Sequence, residues 1–184
     1  MNTGAVSVRY ARALLMFAND AGVASDVYQE ALTLRKSYME VPELRHSMER
    51  PVMNQENKRK VLQQAAGGQI TMQMQKFFDL VLKEKREKYL LGITQSFIEL
   101  YRKQEKIRVG KLTTAVPIAP EEVERIRRIV VDAAGGTVEF VTKVNPEIEG
   151  GFIFEINTYR LNASVADQMR RIKQQFIEKN RRIV

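Results

Sequence analysis

The stretch KQEKIRVGKLTTAV (Lys103 to Val116) is where the chain changes character. Before it, apolar residues recur every three or four positions. From Ile107 the side chains are β-branched and the helical spacing is lost, which predicts a strand over 107–116. Upstream, residues 88–104 repeat Leu90, Ile93, Phe97 and Tyr101, with Ile98 beside them, over a Lys/Glu-rich face. Residues 70–86 bring Ile70, Met74, Phe77, Phe78, Leu80 and Val81 onto an apolar arc of about 200°. Asn54 is placed to cap a helix carrying Val61, Leu62 and Ala65, which Gly67-Gly68 stops. Val41-Pro42 separates a helix over 26–40 (Val27, Ala31, Leu34, Tyr38) from a short one with Leu44 and Met48 that Pro51 closes. Residues 5–20 gather Arg9, Arg12, Asn19 and Asp20 into roughly 100° and leave about 220° apolar. Six helices joined by short loops predict a helical bundle over 1–105.

Downstream, Pro117 and Pro120 frame a turn into a helix with Val123, Ile126, Ile129, Val130 and Ala133 on one face. Glu121 and Glu122 suit the positive end of its dipole. Gly135-Gly136 ends it, and Thr137–Val144 then alternates, with Val138, Phe140 and Val144 on one side. Gly150-Gly151 leads into FIFEI (Phe152 to Ile156), which turns at Asn157-Thr158 into Tyr159, Leu161 and Ala163. A last helix over 164–180 is expected to turn Val165, Met169, Ile172 and Phe176 inward. The fold predicted is mostly α with a small α+β part: an N-terminal six-helix bundle, then a C-terminal α+β domain over 106–184.

The chain has 184 residues and a formal charge of +8, with no Cys and a single His, His46. Disulfides, thiolate metal sites, thiol nucleophiles and two-histidine metal sites are thereby excluded. No apolar run is long enough to span a bilayer, and Arg9 and Arg12 interrupt the N-terminal apolar stretch in a way foreign to a cleaved signal peptide. The double glycines lack the spacing of phosphate-binding loops and read as helix stops and turns. His46, beside Arg45 and Glu49, is expected at the surface. The residues offer no catalytic, cofactor or metal site, and the expectation is a soluble, intracellular, non-catalytic protein.

The basic charge is spread evenly: 16 Lys+Arg against 12 Asp+Glu in residues 1–105, and 14 against 10 in 106–184. Lys58-Arg59-Lys60, Arg127-Arg128, Arg170-Arg171 and Arg181-Arg182 each fall in an amphipathic stretch with no aromatic platform interleaved, so solvated helix faces account for them. A basic two-domain nucleic-acid-binding module is the alternative function. More informative are the apolar arcs of residues 5–20 and 70–86, which are too wide for packing on one side. Either both helices are the bundle's centre, or an apolar groove between them accepts an amphipathic helix from a partner.

At SVRYARALLMFA (Ser7 to Ala18) the sequence resembles the first helix of the delta subunit of F-type ATP synthases, the oligomycin sensitivity conferral protein family. The likeness continues through VPELRHSMERPVMNQENKRKVL (Val41 to Leu62), FFDLVLKEKREKYLLGITQSFIELY (Phe77 to Tyr101), VGKLTTAVPIAPEEVERI (Val109 to Ile126), NPEIEGGFIFEI (Asn145 to Ile156) and LNASVADQMRRI (Leu161 to Ile172), in the family's order and over essentially the whole chain. It departs at Asn145 and Asn162, where the family usually has Asp, at Glu149, usually apolar, at Thr158-Tyr159, usually Gly-Asp, and at Ala166, usually Arg. The resemblance implies a non-catalytic stator subunit, one copy per complex, that couples proton- or sodium-driven rotation to ATP synthesis. The helical domain would bind N-terminal helices of alpha subunits, and the α+β domain the end of the b-type stalk subunits. Carried over by position, the alpha-subunit groove would use Tyr10, Ala13, Leu14 and Phe17 with Phe77, Leu80 and Val81. Ala11, Leu15 and Ala18 would be left to face the bundle. No cofactor and no nucleic acid are implied, and attachment to the cytoplasmic face of a bacterial plasma membrane would be peripheral, through the complex.

Overall fold

The computed structural model describes residues 3–49, 53–134, 137–156 and 158–181. The chain divides into two compact units, Met1–Glu105 and Lys106–Val184. The first holds helices α1 (Thr3–Asp20), α2 (Ala24–Glu40), α3 (Pro42–Glu49), α4 (Gln55–Ala65), α5 (Met72–Lys83) and α6 (Leu90–Gln104). Its interior is built from Val27, Tyr28, Leu34, Met48, Leu62, Phe78, Leu90, Ile93 and Phe97. The Tyr28 and Tyr101 rings stack 4.4 Å apart, and Arg102 Nε donates to the Tyr28 hydroxyl at 2.8 Å. That bond satisfies a buried polar tip where α2 meets α6.

Local chemistry sets the helix ends. Asn54 Oδ1 accepts from Asn57 N at 2.8 Å and opens α4, and Thr71 Oγ1 accepts from Met74 N at 3.2 Å and opens α5. The fifth helix is therefore shorter than the 70–86 expected from its apolar spacing. Its far end is a Schellman turn: Arg86 N donates to Val81 O and Lys85 N to Leu82 O, with Lys85 at φ +53°. The position favours glycine, and a lysine there hides the stop from a reading based on Gly. A 3-10 turn, Glu87–Tyr89, then leads into α6.

The second unit runs β1 (Arg108–Thr114), α7 (Pro120–Ala134), β2 (Val138–Val144), a 3-10 turn (Pro146–Ile148), β3 (Gly151–Ile156), β4 (Tyr159–Ser164) and α8 (Val165–Arg181). Its sheet has the order β2-β1-β3-β4, with β1 parallel to β2 and the other pairs antiparallel. The parallel pair needs a crossover, and α7 supplies it. One face carries Leu112, Val138 and Phe154, all buried, and the Phe140 and Phe154 rings stack 5.6 Å apart over Gly110. Arg127 of α7 lies over Phe140, and Val123 and Ile126 are half-buried. At Gly151, φ is +70° and an added Cβ would meet the Ala163 carbonyl oxygen at 2.1 Å, so only glycine fits. Asn145 Oδ1 accepts from Glu147 N, and Asn162 Oδ1 accepts from Ser164 N and Oγ, so both Asn residues keep the acceptor that Asp would have supplied.

One expectation is corrected. Val165, Met169 and Ile172 are exposed rather than inward, Met169 at 59%. Helical spacing defines a stripe but not what covers it. Among the described residues, the buried apolar side chains of this unit are Leu112, Val138 and Phe154 from the sheet and Ile148 from the 3-10 turn, and α8 is anchored near its start, where Ser164 Oγ accepts from Asp167 N. The expected core side chains of Ile129, Val130, Ala133 and Phe176 lie outside the described residues, as do Pro51, Gly135, Gly136, Asn157 and Arg182. Among the described residues, no helix is long and apolar enough to cross a membrane.

Candidate partner-binding surfaces

Small residues fix the position of α1. Ser7, Ala11 and Ala18 are buried together with Leu14 and Leu15, and α6 approaches so closely that a Cβ on Gly92 would lie 2.8 Å from Ser7 Oγ. At 100° per residue these five span about 100° of the helix. Next to them, over about 60°, come Tyr10, Val6, Phe17 and Ala13, half-buried to exposed. Val8 and Met16 are exposed on the other flank, among Arg9 and Arg12. So roughly half of the wide apolar arc of α1 is left uncovered by its own unit.

The fifth helix is more nearly sealed. Gln73, Met74, Phe77, Phe78, Val81 and Leu82 are all buried, Val81 completely, and Leu80 stands at the edge of that arc at 45% exposure. Its start is pinned from α2: the Glu30 carboxylate accepts from both Thr71 N and Thr71 Oγ1. Burial raises the Glu30 pKa, only partly offset by those two bonds. Of the seven groove candidates, Ala13, Phe17 and Leu80 are therefore exposed and Tyr10 is half-buried. Leu14, Phe77 and Val81 lie beneath them in the bundle interior.

A second apolar surface, on the other unit, is absent from the sequence reading. Val165, Met169 and Ile172 are all exposed and follow spacings of four and three, the seam of a coiled-coil helix. Leu161 on β4 is exposed too, and Tyr159 is 78% exposed. The signal was legible as a stripe; its outward direction was not.

The basic clusters are largely paired within the chain. Lys58 is buried against Glu87 at 2.8 Å, Arg59 pairs with Asp79, and Lys60 with Glu56 at 2.9 Å. Lys60 lowers the Glu56 pKa, first by its hydrogen bond and then by its charge. Arg127 meets Glu124, and both Arg170 and Arg171 meet Asp167. The side chain of Arg181 lies outside the described residues. Among the described residues, no extended stripe of unpaired cations for a nucleic-acid backbone emerges from these clusters. His46 is exposed, and among the described residues no group of three His, Asp or Glu could hold a metal.

The family profile described as ATP synthase delta (OSCP) subunit matches residues 6–176. The chain is 53% identical to the ATP synthase subunit delta of Phocaeicola vulgatus, with both chains covered completely. It is 44% identical to that of Bacteroides thetaiotaomicron, again over the whole of both. With that of Parabacteroides distasonis it shares 36% identity over 97% of this chain and 99% of the relative. A chain in the cryo-EM structure of the Toxoplasma gondii mitochondrial ATP synthase hexamer superposes with a TM-score of 0.63 at 20% identity, covering 93% of this chain and 97% of that one; it shows the fold.

Proposed function

This chain belongs to the ATP synthase delta (OSCP) subunit family, and on that premise we propose that its two units hold two different helical partners. It is a subunit of ATP synthase and a component of the stator of that complex. In our reading it performs no catalysis. It resists the torque of the rotor so that ion flow drives synthesis in the head. One copy serves each complex, peripheral to the cytoplasmic face of the bacterial membrane.

The first partner is an N-terminal helix of an alpha subunit, laid along α1 and α5. Ala13, Phe17 and Leu80 would contact it directly, Tyr10 would flank it, and Leu14, Phe77 and Val81 would form the packed floor. The observation that carries this reading is the apolar flank of α1 left uncovered beside a face that is fully packed. The second partner is the end of a b-type stalk helix on the exposed seam of α8, whose spacing suits helix against helix. Here the exposure of Met169 supports the assignment.

The test is calorimetric binding of an alpha-subunit N-terminal peptide to the full chain. Leu80→Asp places a charge in the contact and should weaken binding at least about tenfold, or 1.4 kcal/mol, with an unchanged melting temperature. Binding should vary little between low and moderate salt, whereas phosphate-driven association would fall by orders of magnitude. Normal affinity in Leu80→Asp would remove α5 from the contact.

A further inference from the structure

A cavity of about 710 Å³ opens between α3, α4 and the turn after α5, remote in sequence from the groove candidates on α1. Its apolar walls include Met48, Leu82 and Tyr89, all buried. Among the described residues its charged lining is Arg45, Lys58, Lys85 and Lys88 with one carboxylate, Glu87. Lys58 decides the matter. It is 6% exposed, and its one partner among the described residues is Glu87 Oε1, which uses one of its three ammonium donors. Lys85 and Lys88 have no carboxylate partner among the described residues, although Lys88 lies 5.0 Å from the Tyr89 ring centre. Gln55, the first residue of α4, also lines the cavity, so the positive end of that helix dipole adjoins it.

We propose that this cavity binds a small organic phosphate carrying several negative charges. Its volume falls within the usual range for small-molecule sites. The cations converge from three elements on one space instead of running along a helix face, which suits a compact multivalent anion better than a linear run of carboxylates. Lys58 would spend its remaining donors on phosphate oxygens, and Lys85 and Lys88 would neutralise the charge. The proposal is independent of the helix-docking reading.

The test is titration of the full chain with inorganic pyrophosphate at low ionic strength, beside a hexaglutamate peptide of higher total charge. One site is expected, weakened at least about tenfold by Lys88→Gln and by Lys85→Gly, and unaffected by Lys173→Gln on α8. Lys85→Gly is the discriminating variant. At φ +53° glycine relieves the backbone, so melting temperature should hold or rise while binding falls. The proposal is overturned if Lys173→Gln weakens binding as much as Lys88→Gln, if neither cavity variant matters, or if hexaglutamate binds in the cavity and pyrophosphate does not.

Discussion

Helices α1 and α8 have nearly the same length, 18 and 17 residues, and both carry an apolar stripe beside basic residues. Their fates differ. In α1 the stripe includes Ser7, Ala11 and Ala18, small enough for α6 to close on it at Gly92, and the larger apolar residues are divided between the interior and the surface. In α8 the stripe is Val165, Met169 and Ile172, with no small residue to admit a neighbour, and all three are exposed. Small residues let α6 close on α1, whereas the large side chains along α8 stay exposed.

Four substitutions would break or sharpen this contrast. Gly151→Ala has the largest expected effect, because the new Cβ meets backbone at 2.1 Å and a positive φ. It should destabilise residues 106–184 by about 3 kcal/mol or more. Calorimetry should show one transition lowered and that of 1–105 unmoved. A shift of both would show that the two units do not melt separately. Gly92→Leu is the counterpart in the bundle: it should cost about 2 kcal/mol by forcing α1 off α6, and leave the other transition in place. Met169→Glu is expected to leave both transitions alone and weaken binding of a b-type stalk peptide about tenfold, roughly 1.4 kcal/mol. A lowered melting temperature would instead mean that α8 packs inward.

Glu30→Gln has the smallest effect and tests how α5 is held. Burial raises the pKa of Glu30 above its ordinary 4.5, so the folded chain holds the proton more tightly than the unfolded one. Stability therefore falls as pH rises from the ordinary value through the raised one. Glu30→Gln should flatten that part of the stability–pH curve while retaining one acceptor for Thr71. An unchanged slope would mean that Glu30 does not titrate in this window.

Much of the architecture was legible because periodicity is a local property. The change at Ile107, the capping role of Asn54, the strand alternation around Phe154 and every main helix could be read from neighbouring residues. What could not be read depends on distant partners. The ends of α5 rest on Thr71, clasped by Glu30 across 41 positions, and on Lys85 where a glycine is the usual stop. The ion pair of Lys58 with Glu87 joins residues 29 apart, so a buried cation looked like part of a solvated face. For the candidate groove, the wide arc of α1 was visible, but only packing against α6 separates exposed Phe17 from buried Leu14. The outward seam of α8 was missed for the same reason.

Hydrogen exchange on the full chain, saturated in turn with an alpha-subunit N-terminal peptide and a b-type stalk C-terminal peptide, tests the two-partner account most directly. The account predicts that the first slows exchange in α1 and α5 and leaves α8 unchanged, while the second slows it in α8 and β4 and leaves α1 unchanged. Protection of the same segments by both peptides, or none in α1 and α5 with the first, would contradict it.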